Sequence, residues 1–239
     1  MDAAAFEARL RAVAQGRYHD RHPFNTRMHQ GELTPDELRR WVLNRFHYQR
    51  HIPVKDALVL AKLETREQRR TWLRRIQDHD GRAEGEGGIE NWLRLGEAVG
   101  LDRELLLSGE GVLPGVRLAV EGYVNYCRLG SPLEAVAASL TELSAPGIMI
   151  TRIDAFERHY RWIDPAGLTY FRNREREGRQ DGREALDLVL SWGTSAVDQD
   201  RAATALNFKC DVLWSLLDAV AHADSADPVA NTDRVRWRP

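Results

Sequence analysis

The chain has 239 residues, 43% of them apolar, which is enough to bury a sizeable core and excludes a disordered tail. Its 34 basic and 36 acidic side chains leave a net charge of −2, so no global field favours nucleic acid or an anionic membrane. Cys127 and Cys210 lack any CxxC or disulfide-framework spacing, no uncharged run reaches the roughly 18 residues that span a bilayer, and Met1-Asp2-Ala3 opens no signal peptide; a cytoplasmic protein with reduced thiols is expected.

Helical spacing runs from end to end, and no stretch alternates apolar and polar residues long enough for a sheet, so the predicted fold is all-α. Phe6, Leu10 and Val13 follow Asp2 as a cap and stop at Gly16, and a His22-Pro23 break comes next. Thr34-Pro35-Asp36-Glu37 is a capping box with proline at the first helical position, predicting a helix to about residue 62 that kinks at Pro53. Thr65 with Gln68 repeats the device for a helix ending near Gly81. Gly81 to Gly88 carries Glu84 and Glu86 but no Gly-Lys-Ser/Thr to clasp a phosphate, and reads as a connecting loop. Trp92 and Leu93 mark a short helix closed by Gly100, and Val116, Val120 and Tyr123 another from near Pro114. Ser131-Pro132-Leu133-Glu134 is a third capping box, opening a helical stretch that Pro146-Gly147 must bend or break. A shorter helix follows Asp164-Pro165 through Arg174, the polar run from Arg172 to Glu184 reads as a solvated connection, and two helices cover 183 to 194 and 198 to 222. Residues 1–222 thus form one helical domain of seven or eight helices, with a flexible tail over 223–239.

Polar residues stand in register with these apolar stripes, where burial without partners costs several kcal/mol each. Arg45 and Gln49 fall on the Leu38, Trp41, Val42 and Ile52 stripe; Arg75 and His79 share a face with Trp72 and Ile76; Tyr123 joins Val116 and Val120. Glu142 falls between Ala138 and Met149, Tyr170 and Arg174 are one turn apart, and Lys209 is bracketed by Leu206, Val212, Leu213 and Leu216. Taken singly, each has an ordinary explanation in snorkelling or a hydrogen-bonded core residue. Jointly, Arg45, Arg75, Arg174 and Lys209 face a single stripe acid, Glu142, and excess buried positive charge predicts a pocket for a small polycarboxylate. His79 is its natural general base.

Other constellations carry less. His47 and His51 are one turn apart but too few to hold zinc, and the helices show no Glu-x-x-His motif of di-iron bundles. No GxGxxG or GxSxG motif is present, and Arg234, Arg236 and Arg238 around Trp237 read as a solvated tail, so neither nucleic acid nor membrane is an expected partner.

These residues resemble the pyrroloquinoline-quinone (PQQ) synthase family from about Phe6 to Ala221. The resemblance rests on Tyr18-His19 before His22-Pro23; Trp41-Val42 with Asn44-Arg45-Phe46 and Tyr48-Gln49; Asp78-His79-Asp80-Gly81; and Gly88-Ile89-Glu90 with Trp92 through Leu101. Leu140-Thr141-Glu142-Leu143, Tyr170-Phe171-Arg172 and Phe208-Lys209 complete it. It implies a compact bundle of seven helices like haem oxygenase and thiaminase II, a homodimer, and a cofactorless oxidoreductase. The implied reaction is ring closure and eight-electron oxidation of the precursor AHQQ by dioxygen, releasing PQQ and hydrogen peroxide without metal or organic cofactor. Carried over, Arg45, Arg75, Arg174, Lys209 and Tyr123 hold carboxylates and quinone oxygens, and Tyr18, His19, Gln49, Thr141 and Glu142 line the pocket. His79 abstracts the proton, and Tyr170 and Arg174 belong to the oxygen core. One departure stands out: the family's oxygen-core histidine is Met149 here, which can neither donate a hydrogen bond nor carry a proton, leaving His19 as another donor. The alternatives are therefore a PQQ-binding or partial-reaction homologue, or the same bundle acting on another quinone precursor or a thiamine-like pyrimidine. The last ranks lowest, because Cys127 and Cys210 have no activating partner in the sequence.

Overall fold

In the computed structural model, which describes residues 1–223, Asp2 accepts from the Ala5 amide and opens α1 (Ala3–Arg17). The break at His22-Pro23 is tighter than the sequence suggests: a 3-10 turn (His19–Arg21) leads into a short helix, α2 (Pro23–Gln30), whose first free amide, on Phe24, is capped by His22 Nδ1 at 3.0 Å. All three predicted capping boxes form. Thr34 opens α3 (Pro35–Leu60), Thr65 opens α4 (Arg66–Asp80) and Ser131 opens α8 (Pro132–Ala137), each side chain receiving the third helical amide while the acid or glutamine returns to the cap. Pro53 lies inside α3, which continues through it.

The 81–88 loop leads into α5 (Gly87–Ala98), and Gly81 and Gly87 both need positive φ, 84° and 89°. α6 (Arg103–Ser108), capped by Asp102, is a single short helix absent from the sequence pattern, and α7 (Pro114–Leu129) follows. The stretch from Ser131 breaks earlier than its proline predicts. α8 ends at Ala137, a 3-10 turn (Leu140–Leu143) follows, and Pro146 sits in the first turn of α9 (Ala145–His159), where its missing N–H costs nothing.

The solvated connection predicted for 172–184 is corrected: α10 (Thr169–Trp192) is one helix of 24 residues through that run. The reason is packing that polarity conceals. Gly178, Asp181 and Gly182 are buried, and a Cβ on Gly182 would stand 3.0–3.2 Å from the Glu142 and Leu143 backbone, so only glycine lets α10 lie against the 3-10 turn. α11 (Ala196–Ala221) ends the described fold, and the predicted tail with Arg234, Arg236, Trp237 and Arg238 lies outside the described residues apart from Ala223, whose carbonyl accepts from Arg40.

Among the described residues there is no strand, so the all-α expectation holds. α3 runs through the bundle against α4, α5 and α7; α11 packs on α1, α7 and α8; and α10 packs on α9 and the 3-10 turn. One connected apolar core links them, with Trp41 and Phe171 at its centre in ring contact with each other and with both Trp92 and Phe156. The most apolar stretch, Pro132–His159, is long and apolar enough to cross a membrane by composition, but 67% of its most apolar window is buried inside the bundle.

Candidate active site

Two groups of cations, all buried except the half-buried Arg45, meet around α3. The first joins α4 to α10. Arg75 and His79, one turn apart on the face that Trp72 buries, look toward Tyr170 and Arg174, one turn apart on α10. Arg174 is matched in full: Glu142 Oε2 lies at 2.7 Å, Asp181 Oδ2 at 3.0 Å and Glu177 Oε2 at 3.3 Å. These carboxylates hold its pKa well above the ordinary value against the effect of burial. Burial alone would raise the Glu142 carboxyl, but Arg174, Arg75 and Lys55 outweigh it and hold it down at about 2. Arg75 donates to the Asp181 carbonyl, lies 4.0 Å over the Trp72 ring, and has its Nε 3.7 Å from Asp181 Oδ1.

His79 Nδ1 is 2.9 Å from the Arg75 carbonyl. A carbonyl only accepts, so Nδ1 carries the proton and Nε2, buried without a hydrogen bond, keeps its lone pair. Burial and then Arg174 push the imidazole pKa down to about 4, so the ring is neutral at pH 7. The Tyr170 hydroxyl donates to Gln49 Oε1 at 2.9 Å, and burial lifts its pKa to about 12, keeping it a protonated donor.

The second group, between α3, α7 and α11, has rings where the first has carboxylates. Lys209 is 1% exposed and makes no ion pair among the described residues. Its Nζ donates to the Tyr48 hydroxyl at 2.6 Å and lies 3.3 Å from the Tyr123 ring centre and 4.3 Å from that of Tyr48, two nearly parallel rings 6.3 Å apart. Burial, then Lys55 and Arg45, hold its pKa well below that of an ordinary ammonium. Arg45, half-buried where its stripe position predicts burial, lies 4.1 Å over Tyr48 and makes no ion pair among the described residues. Arg152, on α9, is 2% exposed, donates to Asn25 Oδ1 at 3.2 Å and lies 5.0 Å over Trp41; burial and then Arg45 lower it to about 10. His19 packs edge-on against Tyr18 at 4.4 Å, and burial with Arg45, Arg152 and Lys209 around it keeps the imidazole neutral. Lys55 differs from its neighbours in being matched, to Asp56 at 2.7 Å and to the Ser139 hydroxyl at 2.9 Å. Tyr123 donates to the Ala138 carbonyl at 3.4 Å, and Thr141 is buried beside Glu142.

The structure thus links the predicted residues into one buried region, and corrects the charge tally. Glu142 is not the single acid: Asp181 and Glu177, from the run read as a connection, and Asp56 share the work. The surplus therefore rests on Arg45, Lys209 and Arg152 rather than on Arg75 and Arg174. Sequence reasoning missed Arg152, Lys55, Asp56, Tyr48 and Asp181 as site residues. Arg152 was legible, four residues from both Ile148 and Phe156 on a buried stripe. Met149, 6% exposed, lies on α9 one turn before Arg152.

Outside this region, the His47 and His51 rings lie tilted with centres 4.6 Å apart, and among the described residues no three possible ligands gather for a metal. A cavity of about 190 Å³ runs from the 81–88 loop, past Asp78 and Asn91, to Tyr170, Arg174 and Glu177.

The profile of the TENA/THI-4/PQQC family matches residues 7–219. The pyrroloquinoline-quinone synthase of Ectopseudomonas mendocina is 51% identical over 223 residues, 93% of this chain and 89% of its own length. That of Cronobacter sakazakii is 50% identical over 222 residues, 93% of this chain and 88% of its own. Among solved structures, a TenA homologue from Pseudomonas syringae superposes with a TM-score of 0.75 at 16% identity, covering 93% of this chain and 96% of that one. A domain from Shewanella denitrificans with a heme oxygenase-like fold superposes at 0.74, also at 16% identity, over 92% of each chain. At such identity these structures speak for the fold alone, which is haem-oxygenase-like.

Proposed function

Because the chain belongs to the TENA/THI-4/PQQC family, we propose that it is a pyrroloquinoline-quinone synthase, closing the last ring of a polycarboxylate precursor and oxidising it to PQQ. The observation that carries this reading is a surplus of positive charge, buried at Arg152 and Lys209 and half-buried at Arg45: among the described residues these three face aromatic rings and make no ion pair with a carboxylate. PQQ has three carboxylates and two quinone oxygens, so such a guest supplies the negative partners that the chain withholds.

His79 takes the proton. Its neutral tautomer offers Nε2; burial, and after it Arg174, holds its pKa at about 4, and the negative charge of the substrate offsets the Arg174 contribution and raises its proton affinity once the site is filled. Lys209, Arg45 and Arg152 bind carboxylates and quinone oxygens, while Tyr18, His19 and Tyr123 close the walls. Tyr170, a neutral donor, and Arg174 stand where charge develops on dioxygen. The substrate quinol is itself the reductant and dioxygen the acceptor, leaving as hydrogen peroxide, so the proposal needs neither metal nor organic cofactor. A homodimer in the cytoplasm completes it; the exposed Leu118 and Leu129 on α7 offer apolar surface for a second copy, and sizing chromatography with light scattering checks it.

Met149 favours a second reading, ring closure without full oxidation, because a thioether cannot donate to reduced oxygen. Purified protein given AHQQ in air decides between them. Oxygen uptake with growth of the quinone absorption supports the synthase, and His79→Ala should lower turnover by about 10²–10⁴. Substrate loss without oxygen uptake supports the partial reaction, and neither turnover nor PQQ binding contradicts both.

A further inference from the structure

Asp181 is a buried carboxylate to which the mechanism above gives no task. It stands on α10 two turns beyond Arg174, and its two oxygens are treated differently. Oδ2 accepts from Arg174 at 3.0 Å. Oδ1, buried, makes no hydrogen bond, and neither does Arg75 Nε, which lies 3.7 Å away. The two charges attract across a gap too long for a hydrogen bond. Arg174 has Glu142 and Glu177 besides, whereas Asp181 is the one carboxylate in ion-pair range of Arg75 among the described residues. Arg75 is otherwise held by the Asp181 carbonyl and the Trp72 ring.

We infer that Asp181 is the site's resident counter-ion, shared by Arg75 and Arg174 when the protein is empty and displaced from Arg75 by a carboxylate of the ligand. The inference rests on the proposed polycarboxylate ligand. A buried guanidinium whose Nε–H goes unbonded gains more from a bidentate ligand carboxylate than from the Asp181 contact it gives up. Binding then exchanges one carboxylate for another instead of neutralising a bare cation, which moderates affinity for a multiply charged product and lets it leave. Asp181 acts through Arg75 and is a positioning residue.

Asp181→Asn keeps the shape and removes the competitor. Followed by quenching of tryptophan fluorescence, PQQ should bind this variant about ten-fold more tightly, a change of about 1.4 kcal/mol, with KM and kcat both lowered as release slows. Asp181→Glu, which restores the charge, should return affinity toward wild type. A folded Asp181→Asn with unchanged or weaker PQQ affinity overturns the inference while leaving the proposed function intact. Wild-type protein that binds no PQQ overturns both. Should Asp181→Asn fail to fold, crystals of the wild type with PQQ decide: an Arg75 Nε to Asp181 Oδ1 separation beyond 3.7 Å supports displacement, and closure to hydrogen-bond distance contradicts it.

Discussion

The two ends of the site meet the same difficulty, a buried cation, in opposite ways. Where α4 meets α10, Arg174 is surrounded by Glu142, Asp181 and Glu177; where α3, α7 and α11 meet, Lys209 lies between the rings of Tyr48 and Tyr123 and makes no ion pair among the described residues. A ring face attracts a cation by about 2 kcal/mol when desolvated, less than the several kcal/mol that burying the charge costs. Around Arg174 the matched end is complete in itself, with only the looser Arg75–Asp181 contact left to exchange, whereas the unmatched end is complete only with an anion inside. This is why affinity and stability should separate along the site.

The widest break in that comparison comes at the matched end. Arg174→Met leaves three carboxylates facing one another, and the protein should lose about 3–5 kcal/mol of stability, read as a fall in denaturation midpoint. Acid should act next. With a folded pKa near 4 against about 6.5 unfolded, His79 binds its proton mainly in the unfolded state between those values, so stability rises with pH from 4 to 6.5 and is lost on acidification. The contribution is about 3 kcal/mol, and Glu142, held at about 2, adds a further loss as pH falls below about 4.5. Melting curves from pH 7 to 4 should show the fall, and His79→Gln should flatten it.

Lys209→Met sharpens the contrast from the other side. Removing a cation with no acid should leave the empty protein as stable as wild type or more so, while PQQ affinity drops by about 10–150-fold, the value of a charge-assisted contact of about 1.5–3 kcal/mol. Thr34→Ala, which removes the cap of α3 far from either end, should cost about 1 kcal/mol in stability and leave PQQ binding unchanged.

Much of this was legible in the sequence because its causes are local. Thr34, Thr65 and Ser131 announce helix starts through hydrogen bonds that span three residues, and the stripe intruders Gln49, Arg75, His79 and Lys209 are buried as their spacing requires. The acids that match the arginines were illegible for the converse reason. Asp181 and Glu177 lie in a polar run whose burial depends on Gly178 and Gly182 meeting the 3-10 turn, a contact between segments some forty residues apart that periodicity cannot register. Arg152 does stand in register with the buried Ile148 and Phe156 of α9, but its meeting with Trp41 and Asn25 joins segments more than a hundred residues apart. The split of the 132–159 stretch likewise reflects tertiary packing, since α8 ends at Ala137, well before Pro146.

Calorimetric titration of PQQ into the wild-type protein at several pH values from 6 to 10, repeated in buffers of different ionisation enthalpy, tests the surplus of charge most directly. Lys209, its pKa depressed by burial and by Lys55 and Arg45, and His79, depressed by burial and Arg174, should both be drawn toward protonation by the incoming carboxylates. The account predicts net proton uptake on binding, diminished in Lys209→Met. Binding without proton exchange, or with proton release, would contradict it.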